Sequence, residues 1–303
     1  MTPTHAAYPN IGLPNTHQVR AWPAITGGRR LRAVITLNYM DGPYINPHNT
    51  PWHRDIAERN TVLRTQVGSG LHGVTVDGTD DRDEMGICIE PPDCVIGLAR
   101  FEQYQYRTQP EGARSGAGDL DLTIYSLRKW ARLAAGGNPT VLLLLFVPPQ
   151  EIVEIDWPGR ELQANPQLFL SRDAGRRFVG YLDAQRDRML GLRSQRTNRP
   201  ELVDVYGYDT KFAYHAIRLG LQGVELLSTC QITLPMPEPS RTWLRDLRIG
   251  KVDKPTVIDT IEDLREQLVA LTDTADLPER PDYTKLNDWL VDVYTRWWNP
   301  LRL

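Results

Sequence analysis

Val67-Gly-Ser-Gly-Leu-His-Gly-Val-Thr-Val-Asp-Gly-Thr-Asp-Asp-Arg-Asp-Glu-Met-Gly-Ile87 is the stretch whose reading decides the fold. Thr61 to Val67 reads as a strand that delivers Gly68-Ser69-Gly70 into a tight turn. Eleven residues then separate Ser69 from Asp81-Arg82-Asp83, and a β-rich run over Glu84 to Glu90 follows, stopped by Pro91-Pro92. In an extended chain residues i and i+2 share a face, so Asp81 and Asp83 aim two carboxylates at one point. Two bare carboxylates side by side repel unless a cation lies between them. Hard oxygen ligands of this kind suit Mg²⁺, which keeps waters and binds substrate phosphates as well. The competing reading is turn chemistry, because Asp77-Gly78-Thr79-Asp80-Asp81 is also a good turn sequence.

A third carboxylate would let two ions be held, stabilising both the attacking and the leaving oxygen of an in-line phosphoryl displacement. The next strand supplies candidates in Asp119-Leu-Asp-Leu-Thr-Ile-Tyr-Ser-Leu-Arg-Lys-Trp-Ala-Arg-Leu-Ala-Ala135. Alternation at its start gives way to apolar spacing of three and four, so a short strand runs into a helix closed by Gly136-Gly137. Asp121 is preferred because Leu122, Ile124 and Leu127 run directly from it, with Asp119 as its competitor. Gly68 lets backbone approach a phosphate closely, and neighbouring N–H groups with the Ser69 hydroxyl can bind it.

Two other patterns are decoys. Gly68-Ser-Gly70-Leu-His-Gly73 fits the dinucleotide-binding spacing, which needs a helix starting at the glycines. Val74-Thr-Val76 is β-prone and a turn follows, so no helix is expected there. His53-Arg54-Asp55 imitates a kinase catalytic loop but precedes the glycines, and no DFG follows. Pro51 to Asn60 reads instead as a surface helix capped by Thr50, with Asp55 and Arg59 as an i,i+4 pair.

Beyond about residue 150 the chain turns mostly helical, with helices expected over 174–192, 210–227, 257–271 and 286–298. On the second of these, Lys211, His215, Arg218, Gln222 and Glu225 fall on one face, with Phe212, Ala213, Ala216, Ile217, Leu219, Leu221, Val224 and Leu226 on the others. Asp209 stands at its start as a cap. Lys211, His215 and Arg218 in one stripe make a cationic rail suited to terminal phosphates; an ordinary solvated amphipathic face is the alternative. Between Arg172 and Arg199 there are eight arginines against three aspartates, a local basic segment able to track an RNA backbone or simply to form a charged helix face.

Bulk composition sets the frame. The chain has 303 residues and a formal charge of -3, so any nucleic-acid footprint must be local. Cys88, Cys94 and Cys230 form no CxxC pair, which gives neither a disulfide framework nor zinc-site spacing. The longest apolar run, Val141 to Val147, is too short to span a bilayer, and Met1 to Asn15 lacks the apolar core of a signal peptide. With no disulfide framework, a reducing cytoplasm is the expected setting. Residues 1–33 read as an irregular arm, 34–150 as an α+β catalytic domain beginning with a strand at Ala33 to Leu37, and 151–303 as a helical C-terminal domain.

Taken together, Gly68-Ser69…Thr79-Asp-Asp-Arg-Asp83-Glu-Met-Gly-Ile87, Asp121…Leu127-Arg-Lys-Trp130…Gly137-Asn-Pro-Thr140 and Tyr208-Asp-Thr-Lys-Phe-Ala-Tyr-His-Ala-Ile-Arg-Leu219 resemble the DNA polymerase β superfamily of nucleotidyltransferases, in its RNA-repair-pathway branch of bacteria and phages. The resemblance spans roughly residues 62 to 298. It implies an α+β fold: a mixed-sheet nucleotidyltransferase core followed by a helical C-terminal domain. It implies Asp81, Asp83 and Asp121 as catalytic metal ligands for two Mg²⁺ ions, or Mn²⁺, and Gly68-Ser69 as the phosphate loop. With it, Lys211, His215 and Arg218 read as nucleotide-binding residues. The implied partners are a nucleoside triphosphate such as ATP and an acceptor hydroxyl, with RNA or tRNA reached through the Arg172–Arg199 segment; no membrane is implied. Arg82 and Glu84 depart from the superfamily, which usually places apolar or aromatic residues beside the two aspartates. That departure leaves a catalytically degenerate nucleotide- or RNA-binding module as the alternative. The sequence names neither the acceptor, the base, nor the oligomeric state.

Overall fold

A computed structural model describes residues 46–76, 81–110, 113–193 and 199–299. The expected arm and the strand at Ala33 to Leu37 lie outside the described residues, as do Asp77 to Asp80 and Gln195 to Asn198. The described residues fall within a unit running from Gly42 to Leu303.

Helix α1 (Pro51–Asn60) starts at Thr50, whose side chain accepts the His53 N–H, and Pro51 takes the first position, where no N–H is needed. The expected Asp55–Arg59 pair forms at 2.6 Å. Strand β1 (Thr61–Gln66) follows at once. The chain then makes α2 (Gly68–His72), a single turn ended by Gly73 in the left-handed conformation. This corrects the expectation of no helix at the glycines. A one-turn helix between antiparallel strands is still no dinucleotide fold, which needs a long helix crossing between parallel strands.

Strand β2 (Arg82–Cys88) returns antiparallel to β1, and Pro91-Pro92 ends the run in α3 (Pro92–Val95). Strand β3 (Gln103–Arg107) and β4 (Leu120–Ser126) form a hairpin, and β4 lies parallel to β2. Ser126 caps α4 (Leu127–Ala135), and Asn138 caps α5 (Pro139–Leu142). Strand β5 (Ile152–Ile155) then completes a mixed five-stranded sheet in the order β3-β4-β2-β1-β5.

The rest is helical: α6 (Trp157–Ala164), α7 (Asp173–Met189), α8 (Pro200–Tyr206), α9 (Thr210–Thr229), α10 (Ser240–Arg248), α11 (Lys254–Thr274) and α12 (Tyr283–Trp298). The fold is thus α+β, a mixed sheet with helices gathered toward the C-terminus. The core divides across the sheet. Leu63, Met85 and Ile87 face a large cluster with Trp130, Phe169, Phe178, Ile217 and Leu264, while Cys88, Leu122 and Ile124 pack with Ile56 and Phe101 on the other side. Near α7 and α9 the packing is close enough that Gly220 and Gly223 meet Leu264, Leu268 and Phe178 where a Cβ would stand. Helix α12 is tied to the end of β2 by Tyr294, whose hydroxyl donates to the buried Glu90 carboxylate at 2.8 Å. Burial pushes the Glu90 pKa up. Among the described residues no helix is long and apolar enough to cross a membrane.

Candidate functional site

The mixed topology brings four chain ends together. β1 and β3 finish, and β2 and β4 begin, at the same edge of the sheet. Asp83 and Asp121 are direct partners in the parallel β2–β4 register. Asp81, two residues before Asp83, continues the alternation on the same face. One ligand oxygen from each of Asp81, Asp83 and Asp121 lies within 4.8 Å of the others, and all three residues are half-buried. Two oxygens on one cation at ~2.1 Å bonds lie at most ~4.2 Å apart, so a small inward adjustment of these side chains brings all three into shared ligation. The donor set, three hard carboxylates, fits Mg²⁺ or Mn²⁺ rather than a soft-ligand metal.

Asp119, the competing third carboxylate, is occupied elsewhere. Its oxygens accept from Thr108 Oγ1 at 2.8 Å and from the Gly116 N–H at 3.0 Å, closing the β3–β4 turn, and these bonds hold its pKa below the usual range. Asp121 is instead held by the hairpin. Its Oδ1 accepts from Arg107 Nε at 2.8 Å and Gln109 Nε2 at 3.1 Å, and its Oδ2 accepts from Ser115 Oγ at 2.8 Å.

Arg82 and Glu84, the two departures from the superfamily pattern, lie on the other face of β2. Arg82 is exposed and its Nε donates to Glu84 Oε1 at 2.6 Å; Arg64 Nε donates to Glu84 Oε2 at 2.5 Å. Glu84 is buried, and two guanidinium groups meet its charge there. The departure is therefore an ion-pair triad behind the strand, leaving the face of Asp81 and Asp83 untouched.

Gly68 has φ of 70°, and a Cβ at that position would collide with the Asp83 carboxylate. Only glycine lets the turn lie this close to the acidic cluster. The half-buried Ser69 follows it. Four residues on from Gly68, about 6 Å along the helical rise, His72 is buried against α9. Its Nε2 lies 3.2 Å from Arg218 Nη1 and its Nδ1 lies 3.3 Å from Gln222 Nε2, while Arg218 also donates to Gln222 Oε1 at 2.8 Å. The stripe read from the sequence thus turns inward at this point. Arg218 is half-buried and Gln222 is buried, packed on the glycine turn rather than facing water. Asp209 caps α9 as expected, accepting from the Lys211 and Phe212 N–H groups at 3.0 Å. Glu225 departs from the rail and binds the Thr233 N–H at 3.0 Å.

His215 is half-buried on the same stripe beside the Tyr214 ring. Burial, then Arg218, Lys211, Arg199 and Arg248, hold its pKa well below the ordinary value. Burial and then Arg218 and His215 do the same to His72. Burial also lowers the Arg218 pKa, and Arg218 Nε is buried with no partner among the described residues. The stripe thus sets Lys211 and Arg218 beside two imidazoles held neutral.

Sequence reading did not find two contributors. α10 places Arg245 and Arg248 on the carbonyls of Gly73 and Val74, at 2.6 Å for the first, bracing the turn from behind. Arg241, Arg245 and Arg248 recur at spacings of four and three, a stripe that was legible. β3, which brings Arg107, alternates as Gln103-Tyr-Gln-Tyr-Arg107 and was equally legible.

The basic segment behaves differently. Arg172 donates to the Asp273 carbonyl, Arg177 to that of Gly136, and Arg176, Arg186, Arg193 and Arg199 pair with Asp173, Glu262, Asp187 and Asp209. Arg188 lies over the Phe212 ring. Arg196 lies outside the described residues.

Known proteins similar to this chain include one from a phage and one from a bacterium. A protein of 38.9 kDa from Enterobacteria phage T4, encoded in the nrdC–mobD intergenic region and uncharacterized, is 29% identical over 128 residues. That match covers 41% of this chain and 37% of the phage protein. A nucleotidyltransferase-like protein of Exiguobacterium sibiricum superposes over 74% of this chain and 72% of its own, at 13% identity and a TM-score of 0.26, a likeness too slight to carry an argument. The sequence profile of the RNA repair pathway DNA polymerase beta family matches residues 51–292. That span takes in the glycine turn, all three carboxylates and the α9 rail, and the chain belongs to this nucleotidyltransferase-type family.

Proposed function

We propose that the protein is a metal-dependent nucleotidyltransferase that moves a nucleoside monophosphate from a triphosphate, ATP being the first candidate, to an acceptor hydroxyl. The observation that carries this reading is the convergence of Asp81, Asp83 and Asp121 within 4.8 Å beside the Gly68–Ser69 turn. Asp81, Asp83 and Asp121 would hold two divalent ions, which supply Lewis-acid activation and neutralise charge developing on the phosphoryl oxygens. Gly68 and Ser69 receive the triphosphate. Lys211, His215 and Arg218 bind its terminal phosphates, the Arg218 guanidinium being aimed by His72 and Gln222. Asp121, fixed by Arg107, Gln109 and Ser115, orients the attacking hydroxyl. Pyrophosphate leaves toward the α9 rail, and charge is met by preorganised groups rather than by covalent catalysis.

The acceptor we favour is an RNA or tRNA end, in a repair or modification step in the cytoplasm of a bacterium or phage-infected cell. The family to which the chain belongs supports this. The Arg172–Arg199 segment stays the proposed RNA contact, since Arg176 and Arg193 remain exposed within their ion pairs. The functional division into residues 1–33, 34–150 and 151–303 remains part of the proposal. The test is incubation with each of the four nucleoside triphosphates, labelled at the α-phosphate, with Mg²⁺ and total RNA and protein extract. Label in RNA supports the full reading, label in protein redirects the acceptor, and absence of any transfer or pyrophosphate release removes it.

A further inference from the structure

We propose that Ser115 is a site of self-nucleotidylylation, an inference that rests on the transferase reading above. Three observations point to it. First, the Ser115 hydroxyl donates to Asp121 Oδ2 at 2.8 Å, and Asp121 is the carboxylate placed to orient an attacking hydroxyl. Second, that hydroxyl is prepared for attack. Arg107 Nη2 donates to Ser115 Oγ at 3.0 Å, and Gln109 Nε2 donates to it as well. Two donors, one of them cationic, stabilise negative charge on that oxygen as its proton moves toward Asp121. Third, the sheet order places Ser115 on the correct side. Across the edge the order is β3, β4, β2, β1, with neighbouring strands ~4.8 Å apart. The glycine turn follows β1 and meets Asp83 on β2; Ser115 belongs to the β3–β4 hairpin and meets Asp121 on β4. A triphosphate seated on the glycine turn and the α9 rail has its leaving group on the β1 side. An α-phosphorus over the carboxylates then faces Ser115 on the β3 side, which is the arrangement in-line displacement needs.

In the step, the Ser115 Oγ–phosphorus bond forms and the bond from the α-phosphorus to the bridging oxygen of the β-phosphate breaks. Pyrophosphate leaves with that electron pair, and the hydroxyl proton passes to the Asp121 carboxylate and on to water. The product is a phosphodiester linking Ser115 to a nucleoside. With Ser115 at the acceptor position, an external hydroxyl must displace the hairpin serine to react, so the adduct forms when no external acceptor is present.

The test uses the full chain. Its intact mass and peptide map are recorded as isolated, with no nucleotide added, and again after Mg²⁺ and each of the four nucleoside triphosphates. The expected result is a mass gain of one nucleoside monophosphate on the peptide carrying Ser115, lost in Ser115→Ala and regained in Ser115→Thr, which restores the hydroxyl. Asp121→Asn also loses it. Pyrophosphate release and labelling of another molecule or another residue, with the Ser115 peptide unmodified, overturns the inference and leaves the transferase reading standing. If wild-type chain neither releases pyrophosphate nor labels anything, the transferase reading fails and this inference with it.

Discussion

Asp83 and Glu84 are neighbours in sequence, both carboxylates, and they lie in opposite electrostatic worlds. Glu84 points to the back of the sheet, where Arg64 and Arg82 meet it at 2.5 and 2.6 Å. Asp83 points to the front, where Asp81 and Asp121 converge with it. A buried carboxylate met by the chain's own guanidinium groups is complete as it stands and contributes to folding. Three carboxylates that converge on one another gather negative charge, which Arg107 meets at Asp121 and which a bound metal cation would relieve further. The difference separates a structural acid from a candidate catalytic one on adjacent residues, and it turns on the period-two alternation of a strand.

That contrast can be broken by exchange. Asp83→Asn is expected to lower transfer by about three orders of magnitude, from the several kcal/mol that metal-centred charge stabilisation supplies. Its melting temperature should hold or rise, since like-charge repulsion is relieved. Glu84→Ala should do the reverse, lowering stability by about 1–3 kcal/mol because two guanidinium groups lose a charged acceptor, partly offset by their access to water. Equal effects of the two substitutions on activity, measured with denaturant unfolding alongside, would erase the distinction.

Next in size is Gly68→Ala. The left-handed φ costs about 1–3 kcal/mol for a residue with a side chain, and the Cβ strikes the Asp83 carboxylate. Activity should fall more than thermal stability does, measured by turnover against melting temperature. If the variant turns over like wild type, the turn does not approach the front carboxylates as closely as proposed. Arg107→Ala leaves Asp121 with Gln109 and Ser115 as partners. A loss of roughly 10–100-fold is expected, the usual range for an outer partner of a metal ligand. It should fall on kcat, with KM for the triphosphate unchanged.

The smallest effect concerns pH. The pKa values of His72 and His215 are depressed, chiefly by burial and then by neighbouring cations. Their contribution to stability is therefore present above the ordinary histidine value of 6.5 and is lost as pH falls through it toward the lowered folded values. Unfolding free energy at pH 7.5 should exceed that at pH 5.5, and His72→Gln should flatten the difference. A polyanionic triphosphate reverses the environment of His215, so its binding should take up protons, seen as a buffer-dependent enthalpy in calorimetry.

The sequence made most of the architecture legible where a local signal and the fold agreed. Thr50-Pro51, Asp209 and Ser126 announce helix starts by side-chain capping, and the Asp81–Asp83 spacing announces a shared face. What escaped was set by long-range pairing. The α2 turn was unexpected because β-prone Val74-Thr-Val76 follows it, yet Arg245 and Arg248 hold the Gly73 and Val74 carbonyls from 172 and 174 residues away. The sequence favoured Asp121 with Asp119 as its competitor, and the closing of the hairpin by Thr108 and Gly116 shows Asp119 engaged in a turn. The Arg172–Arg199 arginines looked like a free basic patch because several of their partners, Glu262 and the carbonyls of Gly136 and Asp273, are remote in sequence.

The most direct test of the account is a crystal structure with Mn²⁺ and a non-hydrolysable nucleoside triphosphate, with anomalous scattering collected at the manganese edge. The account predicts anomalous peaks bonded at about 2.1 Å to oxygens of Asp81, Asp83 and Asp121, with the triphosphate running from Gly68–Ser69 toward Arg218. Nucleotide bound with manganese elsewhere, or with none at these three carboxylates, would contradict it.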